Sequence, residues 1–359
     1  MRELRVFHGM FEMAGQAFYA VKGLKQMGIK TTHMIWRSNY ANIGYGISLN
    51  IYRKKWYLYP YYLLKVAFYE LKILREHNVF HFHTGSSLLL NFDLWLFKLL
   101  HKKVFAEFHG SELRDYADAE KVNPYILTQD FVSGLEKRKK KVEKICRYAD
   151  GVILHDDELI PHLPANAKNI FVVPLRVDLK KFTPCYVPAE KEKICIVHAP
   201  SNRKIKGSGQ VIEAIEALKK KYQIEFILVE NKSQKEAKEI YEKADIIVDQ
   251  IKLGTYGVFA IEGMALGKPV VTYILDEMKQ CLPKELPIVS ANPDTIEDVL
   301  EQLILDGKRR RELGIAGRKY VENYHDCRKN ARMLYEVYTG KIQPIKGREA
   351  FAHAAQMQK

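Results

Sequence analysis

Short apolar runs alternate with longer helical segments along most of this chain, and that alternation limits its fold more than any other feature. LRVFH at residues 4–8 and ICIVHAP at residues 194–200 have strand character, whereas QVIEAIEALKKKY at residues 210–222 has the spacing of an amphipathic helix. Strands that alternate with helices favour parallel sheets, because each helix carries the chain back to the edge at which the next strand begins. We therefore predict an α/β fold with parallel sheets.

The alternation stops once, near the middle of the chain. Residues 174–193, PLRVDLKKFTPCYVPAEKEK, contain three prolines and mixed charge with little periodicity, which is typical of a connection between domains. A chain of 359 residues is long enough for about two domains. We predict one domain at residues 1–178, a second at 179–324, a closing helix at 325–341, and a polar tail at 342–359 that is expected to be mobile.

The charge of the chain favours an anionic partner. Its 57 lysines and arginines outnumber its 43 aspartates and glutamates and give a net charge of +14. Nucleic acid, an acidic membrane face and a phosphorylated small molecule all satisfy that preference. No RRM, KH or helix-turn-helix signature is present, so we predict that nucleic acid is not a partner. The five cysteines lack CxxC spacing and no secretory signal is evident, which favours a cytoplasmic protein.

A glycine-rich turn in the second half leads into a helix that contains a single carboxylate. The segment GTYGVFAIEGMALGKPVV covers residues 254–271, and its helix is expected to begin just after Gly257. Unpaired N–H groups and a partial positive charge make such a helix start suitable for phosphate. Glu262, about one turn into the helix, could accept two hydrogen bonds from a ribose diol. Stabilisation of the helix dipole explains Glu262 equally well at this stage.

A second candidate phosphate site follows an earlier strand. In HAPSNRKIKGSG, residues 198–209, Arg203 and Lys206 stand three residues apart in a predicted loop that also contains Ser201 and two glycines. A guanidinium and an ammonium in such a loop suit a diphosphate leaving group. The spacing is not that of a Walker A motif. A basic loop exposed to solvent is the alternative explanation.

Two segments of the first half follow predicted strands. FHGSELR, residues 108–114, groups His109, Glu112 and Arg114, which could orient a hydroxyl acceptor or take part in proton transfer. Gly15, in FEMAGQA, is expected to open a helix beside the first strand. Each has a structural alternative, since a histidine after a strand and a glycine before a helix also occur for packing alone.

Together these segments resemble the GT-B glycosyltransferases, and among them the retaining group numbered family 4. NRKIKG is similar to that family's Arg…Lys-Gly diphosphate site, and YGVFAIEGMALGKPVV is similar to its E-x7-E segment and the strand that follows. PLRVDLKKFTP resembles its P-x-G-V-D-x-x-x-F-x-P connection, with Arg176 in place of the usual glycine. RRRELGIAGRKYVENY resembles its C-terminal helix, after which the chain crosses back to the first domain.

The resemblance implies two Rossmann-like domains that face each other across a cleft, with the acceptor side in the first and the nucleotide-sugar side in the second. Glu262 matches the family's second glutamate, which holds the ribose, while Arg203 and Lys206 act on the departing diphosphate. The resemblance further implies that Ser201, Gly257 and Val258 contact the donor. On the acceptor side, the resemblance implies that His109 belongs to the catalytic group and positions the acceptor. It implies that Gly15, Glu112 and Arg114 also lie on the acceptor side.

One position departs from the family pattern. The first glutamate of the E-x7-E segment, which contacts the donor sugar in the family, is replaced by Gly254. Asp249 or Gln250 is a candidate substitute, and loss of activity is the alternative.

The reaction implied by the resemblance is the retaining transfer of a sugar from a nucleotide-diphosphate sugar to a hydroxyl group. The acceptor would be a glycan or a lipid-linked molecule in the assembly of a cell-surface polysaccharide or glycolipid. No D-x-D motif occurs, and the resemblance implies a metal-independent enzyme with no cofactor besides the nucleotide-sugar co-substrate. A sugar-nucleotide epimerase, a phosphorylase and a basic nucleic-acid-binding protein are the alternatives.

A basic aromatic stretch lies outside these motifs. IYRKKWYLYPYYLLKVAFY, residues 51–69, has eight aromatic residues, four basic residues and no acid. Such a composition suits an anionic membrane surface. We expect either peripheral contact with the inner membrane face or a packed loop and helix.

Overall fold

The computed structural model describes residues 3–37, 44, 46–51, 56–126 and 134–345. These residues divide into two compact units, called here the first and second domains. The first domain contains the described residues up to Arg114, Gly134–Arg176, and those from Cys327 onward. The second contains residues 115–126 and Val177–Asp326. Most of the predicted tail, residues 346–359, lies outside the described part of the chain.

Each domain is built on one parallel sheet. The strands of the first domain are β1 Arg5–Gly9, β2 Lys30–Ile35, β3 Ile47–Ser48, β4 Val79–His83, β5 Lys103–Glu107, β6 Gly151–Leu154 and β7 Ile170–Val172. Their order in the sheet is β3-β2-β1-β4-β5-β6-β7. The strands of the second domain are β8 Ile194–His198, β9 Ile224–Leu228, β10 Ile246–Val248, β11 Val270–Thr272 and β12 Val289–Ser290. Their order is β12-β11-β10-β8-β9.

The α-helices cover most of the chain between these strands. In chain order they are α1 Gln16–Gln26, α2 Tyr59–Glu76, α3 Leu94–Leu99, α4 Tyr116–Val122, α5 Leu135–Tyr148, α6 Arg203–Lys206, α7 Ser208–Leu218, α8 Gln234–Tyr241, α9 Val258–Ala265, α10 Asp276–Lys279, α11 Ile296–Leu305, α12 Gly307–Tyr324 and α13 Cys327–Thr339. None of the helices in the described ranges combines the length and the apolar composition that a bilayer span requires.

The predicted α/β class with parallel sheets is confirmed, because every pair of neighbouring strands is parallel. The loop predicted at residues 201–209 is wrong in part, since α6 forms a helical turn there. The side chain of Asn202 caps that turn by accepting hydrogen bonds from the backbone N–H groups of Lys204 and Ile205. Gly207, with φ +78°, ends it.

The last helix of the described chain completes the first domain. α13 packs along α1 so closely that a Cβ atom on Gly23 would stand 2.4 Å from the Cβ of Ala331 and 2.6 Å from the carbonyl oxygen of Cys327. Leu24 of α1 and Leu334 of α13 lie in the same buried core beneath the sheet. Only glycine at position 23 permits this approach of the two helices.

Candidate functional site

In the second domain, both predicted cations are paired with carboxylates. Lys206, at the end of α6, places Nζ 2.6 Å from Oδ1 of Asp249, just after β10. Arg203, at the start of the same helix, donates from Nε and Nη2 to the two carboxylate oxygens of Glu230, at 2.8 and 2.5 Å. The Arg203 pair is solvent-exposed, whereas Asp249 is fully buried. Both cations are therefore paired with carboxylates of the protein, and the exposed Arg203 pair is the weaker of the two.

The N-terminus of α9 also contacts Asp249. The backbone N–H of Gly257 donates to Oδ2 of Asp249 at 3.0 Å, while Lys206 holds the other oxygen. A Cβ atom on residue 257 would stand 3.2 Å from that carboxylate oxygen, so the glycine allows the close approach. A helix start and a lysine thus already bind an anion, as the sequence predicted for this turn, but the anion is the protein's own carboxylate.

Glu262 is the fifth residue of α9 and is buried, with 8% of its surface exposed. Its Oε1 accepts a hydrogen bond from Nε2 of Gln234 at 3.2 Å. Burial raises the pKa of Glu262 to about 7. The helix-dipole explanation does not fit this position, because the dipole acts within the first turn and Glu262 lies beyond it. A buried carboxyl group needs a further hydrogen-bonding partner to be stable as an anion.

Gly254 adopts a backbone conformation that a glutamate could not easily share. Its φ is +83°, and an added Cβ would stand 2.5 Å from the side chain of Leu275. The two candidate substitutes are also engaged elsewhere: Asp249 holds Lys206, and the buried amide of Gln250 donates to the carbonyl of Thr255. The conformation of this loop therefore requires a glycine at position 254, in place of the family's glutamate.

The other predicted donor residues flank this arrangement. Ser201 is exposed at the bend before Asn202, and Val258 is half-buried as the first residue of α9. Sequence reasoning missed His198, the last residue of β8, whose Nδ1 lies 2.8 Å from the Val248 carbonyl and whose Nε2 lies 2.8 Å from Oγ of Ser208. Burial lowers its pKa to about 4, so it is neutral at physiological pH. Its position at a strand end was the available signal.

Residues 115–126 belong to this domain although they precede it in the chain. Tyr116 and Ile126 are buried against Leu253 in a small apolar cluster. Nδ2 of Asn123 donates to the carbonyl of Lys252 at 2.7 Å. These contacts support the loop that carries Gly254, and no feature of the sequence indicated them.

The predicted acceptor-side residues in the first domain shape the turn after β5. The backbone N–H of His109 donates to Oε1 of Glu112 at 2.8 Å, and Arg114 donates from Nε and Nη2 to the carboxylate of Glu158 at 2.7 and 2.6 Å. Gly15 enters α1 with φ +84° and its carbonyl accepts from the N–H of Tyr19. Glu112 and Arg114 thus already have partners within this domain.

Around His109 lies a cluster that the sequence analysis missed. Its members come from four neighbouring strands and the loops that follow them: His8 on β1, His81 and His83 on β4, Glu107 on β5, His109 after β5, and His155 after β6. All are buried except His109, which is half-buried. Burial lowers the pKa of each histidine. The alternating histidines of VFHFH were the available signal, because alternate residues of a strand share a face.

Arg176, which stands where the family pattern has a glycine, balances the negative charge of Glu107 in this cluster. Its guanidinium forms a short ion pair with Oε1 of Glu107, and neither side chain has any exposed surface. Gln16 fixes the arginine, since its amide accepts from the backbone N–H of Arg176 at 2.8 Å and donates to the carbonyl at 3.0 Å. The arginine that stands in place of the usual glycine therefore accompanies a buried glutamate at the end of β5.

Two groups in the cluster have the spacing of metal ligands. The ligand atoms of His8, His81 and His83 lie within 4.8 Å of one another, and so do those of His83, Glu107 and His109. In both groups the nitrogens of the neighbouring histidines point at each other, so the contacts have the form of hydrogen bonds between imidazoles.

Two domains with parallel sheets place this chain in the GT-B class, and the predicted fold is confirmed. Sucrose-phosphate synthase (tll1590) from Thermosynechococcus elongatus is similar with a TM-score of 0.66 and 16% identity, over 95% of this chain and 99% of that one. Alr3699/HepE of Anabaena, in complex with UDP and glucose, gives 0.64 and 10%, over 94% and 100%. A putative UDP-N-acetylglucosamine 2-epimerase from Listeria monocytogenes gives 0.56 and 14%, over 96% and 100%.

The resemblance to the GT-B glycosyltransferases is also confirmed, with a family match in the second domain, whereas the retaining family 4 subtype stays a prediction. Residues 192–320 match the family model described as Glycosyl transferases group 1. That range contains Arg203, Lys206, Gly257 and Glu262. No curated protein sequence matches the chain.

Proposed function

We propose that this protein is a retaining glycosyltransferase that moves a sugar from a nucleotide-diphosphate sugar to a hydroxyl acceptor. The observation that carries the proposal is the anion held between Lys206 and the N-terminus of α9. The match of residues 192–320 to Glycosyl transferases group 1 supports the same chemistry, because it covers those residues. A similar structure in complex with UDP and glucose supports a nucleotide-sugar donor.

In the proposed donor complex, the diphosphate takes the place of the internal carboxylate. Lys206 and the N–H of Gly257 turn from Asp249 to the phosphate oxygens, and Arg203 leaves Glu230 to join them. These groups then stabilise the charge that develops on the diphosphate as the bond to the sugar breaks. Glu262 accepts hydrogen bonds from the ribose hydroxyls, which satisfies its buried carboxylate.

The proposed retaining step uses the leaving group as the base. The acceptor oxygen bonds to the anomeric carbon on the face from which the diphosphate departs, and a phosphate oxygen takes the acceptor's proton. Protein cations supply the charge stabilisation, so we propose that the reaction needs no metal ion. The acceptor side is assigned to the first domain, with His109 beside the acceptor hydroxyl.

Ligand binding tests the donor site directly. Thermal shifts with UDP, GDP, ADP, CMP and TDP should show stabilisation by one diphosphate, since a ligand of the folded state raises Tm by mass action. Lys206→Met should abolish the shift. Lys204→Met is the matched control, because Lys204 lies on the exposed surface of the same helix and should keep it. Equal shifts in both variants would rule out this site.

Product analysis separates the transferase from its alternatives. With the matching nucleotide sugar and a glycan acceptor, NMR should show a product with the anomeric configuration of the donor. An epimerase converts the nucleotide sugar without acceptor, and a phosphorylase consumes inorganic phosphate. Either result would replace the proposed reaction while leaving the fold unchanged.

We further propose that the acceptor is lipid-linked and that the protein works at the cytoplasmic membrane face, in polysaccharide or glycolipid assembly. α2 exposes a series of large apolar side chains: Tyr59, Tyr61, Leu63, Leu64, Phe68 and Leu71. Lys65 and Lys72 lie on the same helix, which suits an anionic surface. Residues 52–55 of the predicted stretch lie outside the described part of the chain.

Flotation with vesicles tests this contact. The protein should float with phosphatidylglycerol vesicles at low salt and remain at the bottom with phosphatidylcholine alone. Leu64→Glu should reduce flotation, because Leu64 is 73% exposed and can change without disturbing the core. Leu305→Glu, at a similarly exposed leucine of the second domain, is the control. Unchanged flotation of Leu64→Glu would exclude α2 as the contact.

A further inference from the structure

Four of the clustered histidines form a row joined nitrogen to nitrogen. Nδ1 of His8 lies 3.2 Å from Nε2 of His83, and Nδ1 of His83 lies 3.2 Å from Nε2 of His109. Nδ1 of His109 lies 2.6 Å from Nε2 of His155. These four residues are called the imidazole row. Each contact joins an Nδ1 to an Nε2 in the same sense, so the row has a direction.

The first two contacts of the row are head-on. Their ring centroids lie 5.5 and 5.4 Å apart, about as far as a nitrogen separation of 3.2 Å allows. The two nitrogens therefore lie nearly on the line between the rings, which is the geometry of an N–H···N hydrogen bond. Lone pairs that point at each other in this way do not converge on a third point, where a metal ion would bind.

The inner end of the row reaches Glu107 through two further groups. Nε2 of His8 lies 3.4 Å from the hydroxyl of Tyr338, which lies 2.5 Å from Nδ1 of His81. Nε2 of His81 lies 2.8 Å from Oε2 of Glu107. Although burial opposes ionisation, the charge of Arg176 keeps the pKa of Glu107 well below its usual range. The carboxylate is therefore ionised and can only accept hydrogen bonds.

An ionised Glu107 determines the position of every proton in the chain of contacts. Nε2 of His81 lies 2.8 Å from the ionised carboxylate, in an ion-pair contact without the alignment of a hydrogen bond, so its charge favours the proton on Nε2. Nδ1 of His81 is then left to accept from the Tyr338 hydroxyl. That hydroxyl oxygen then accepts from Nε2–H of His8. Because each neutral imidazole has one donor and one acceptor, the same tautomer follows in the other three rings. His109 thus carries its proton on Nε2.

We propose that Glu107 and Tyr338 are positioning residues that fix the tautomer of His109, and that the imidazole row carries a proton between His155 and the His81–Glu107 pair. His109 is half-buried and His155 is only slightly exposed, so this end of the row is the one nearest to solvent. The pair at the inner end is fully buried.

The proton balance of the relay closes within the chain. Nδ1 of His155 is buried and has no hydrogen-bond partner among the described residues, so it is the acceptor that the row leaves unfilled. A proton that reaches it releases the proton on Nε2 to Nδ1 of His109, and the same exchange repeats at His83 and His8. The proton on Nε2 of His8 passes to the Tyr338 oxygen, whose own proton moves to Nδ1 of His81. One proton has been added, the four row histidines stay neutral, and His81 becomes a cation beside Glu107.

The position of Glu107 favours this distribution of charge. Desolvation lowers the pKa of His81 as well as that of every row histidine, but Glu107 opposes this shift most closely at His81, where its carboxylate lies 2.8 Å away. Glu107 also approaches the row directly, with its carboxylate oxygens 3.7 Å from Nδ1 of His83 and 3.6 Å from Nε2 of His155. Other charged groups of the described residues face the row as well. They are Arg176 beside Glu107, Glu12 with His33 on the strand beside His8, and Glu112 at the backbone of His109.

NMR of the full chain with 15N-labelled histidine tests the inference. At neutral pH, long-range 1H–15N spectra should show the Nε2–H tautomer in His8, His83, His109 and His155. On acidification all four should convert to the Nδ1–H tautomer together, as His81 becomes doubly protonated. A row histidine with the Nδ1–H tautomer at neutral pH, or separate titration of the four rings to imidazolium, would overturn the relay.

Tyr338→Phe tests the link between the row and Glu107. The phenyl ring keeps the packing and removes the hydroxyl, so the row should no longer convert together with His81. Tyr335→Phe, on the same helix, should behave as wild type. If the row still changes tautomer together with the protonation of His81 in Tyr338→Phe, the path through Tyr338 is refuted. If that variant does not fold, the titration of the wild-type protein still tests the tautomers and their joint change. None of these measurements uses a donor or acceptor, so they are independent of the proposed transferase activity.

Discussion

Each domain contains a buried carboxylate paired with a cation, and the two pairs differ in how they can respond to a ligand. In the second domain Asp249 is buried, but Lys206 keeps 12% of its side chain exposed and Gly257 lies at a helix start. In the first domain neither Glu107 nor Arg176 has any exposed surface. An incoming anion can therefore replace Asp249 in the second domain. Glu107 in the first domain is enclosed by protein and can act only through the residues around it.

The largest expected effect comes from breaking the buried ion pair between Glu107 and Arg176. Arg176→Met leaves Glu107 buried without its cation and should destabilise the first domain by about 3–5 kcal/mol, since an uncompensated buried charge is costly. Urea unfolding followed by domain-specific probes measures the loss. The double variant Glu107→Gln, Arg176→Met should recover much of it. If the double variant is no more stable than the single one, the pair is not the source of the loss.

A buried carboxyl group outside these ion pairs gives the next effect and completes the comparison. Both oxygens of Glu70 on α2 are buried without a hydrogen-bond partner among the described residues, and burial, with Asp93 nearby, raises its pKa to about 8. The folded state therefore holds a proton that the unfolded chain releases near pH 4.5. Stability should fall by about 4 kcal/mol as pH rises from there to 8.

Glu70→Gln should remove this loss, because an amide does not titrate. Wild type and variant should agree near pH 5 and diverge at pH 8, with the variant more stable. Parallel pH profiles of the two proteins would show that Glu70 is ionised in the fold.

Asp249→Asn tests whether the carboxylate of the second domain is replaceable. Removal of the competing anion should tighten binding of the nucleoside diphosphate, by about tenfold or 1.4 kcal/mol. Isothermal titration calorimetry measures the change, with Asp276→Asn, an exposed acid of α10, as the control. If Asp249 instead contacts the donor sugar, Asn at this position should weaken binding of the nucleotide sugar and leave the diphosphate unchanged.

The smallest effect concerns the pH dependence of donor binding. Ribose hydroxyls donate to an ionised carboxylate better than to a protonated one, and burial raises the pKa of Glu262 to about 7. Affinity for the nucleotide should therefore rise several-fold as pH increases through 7 and then level off. Glu262→Gln should bind more weakly and lose this dependence. A rise of the same size in the variant would assign it to the phosphate group.

Much of this architecture follows from local patterns in the sequence. The apolar strand runs, the helix after Gly257 and the closing helix are local features, so periodicity and turn chemistry predict them. The helical turn of α6 escapes such prediction, because it is short and depends on the cap supplied by Asn202. Strands β3 and β12 have only two residues each and carry no periodicity.

The charged pairs could not be predicted in the same way. Asp249 and Lys206 are 43 residues apart, and Glu107 and Arg176 are 69 apart. They meet because strand order places their loops together, and one sequence does not reveal that order. The imidazole row needs four strand ends in one register. Gly254 is the opposite case. The sequence alone showed that a glycine replaces the family's first glutamate, but only the close approach of Leu275 in the structure explains why a glycine is needed there.

The close packing of α13 along α1 has a consequence for how the chain folds during its synthesis. A ribosome releases the sheet of the first domain early, yet the helix that covers α1 and carries Tyr338 emerges only after the whole second domain. The second domain can therefore finish folding during translation, while the first must wait with an uncovered helix face. Truncation before residue 327 should leave nascent chains that chaperones retain, even though the second domain in them is intact.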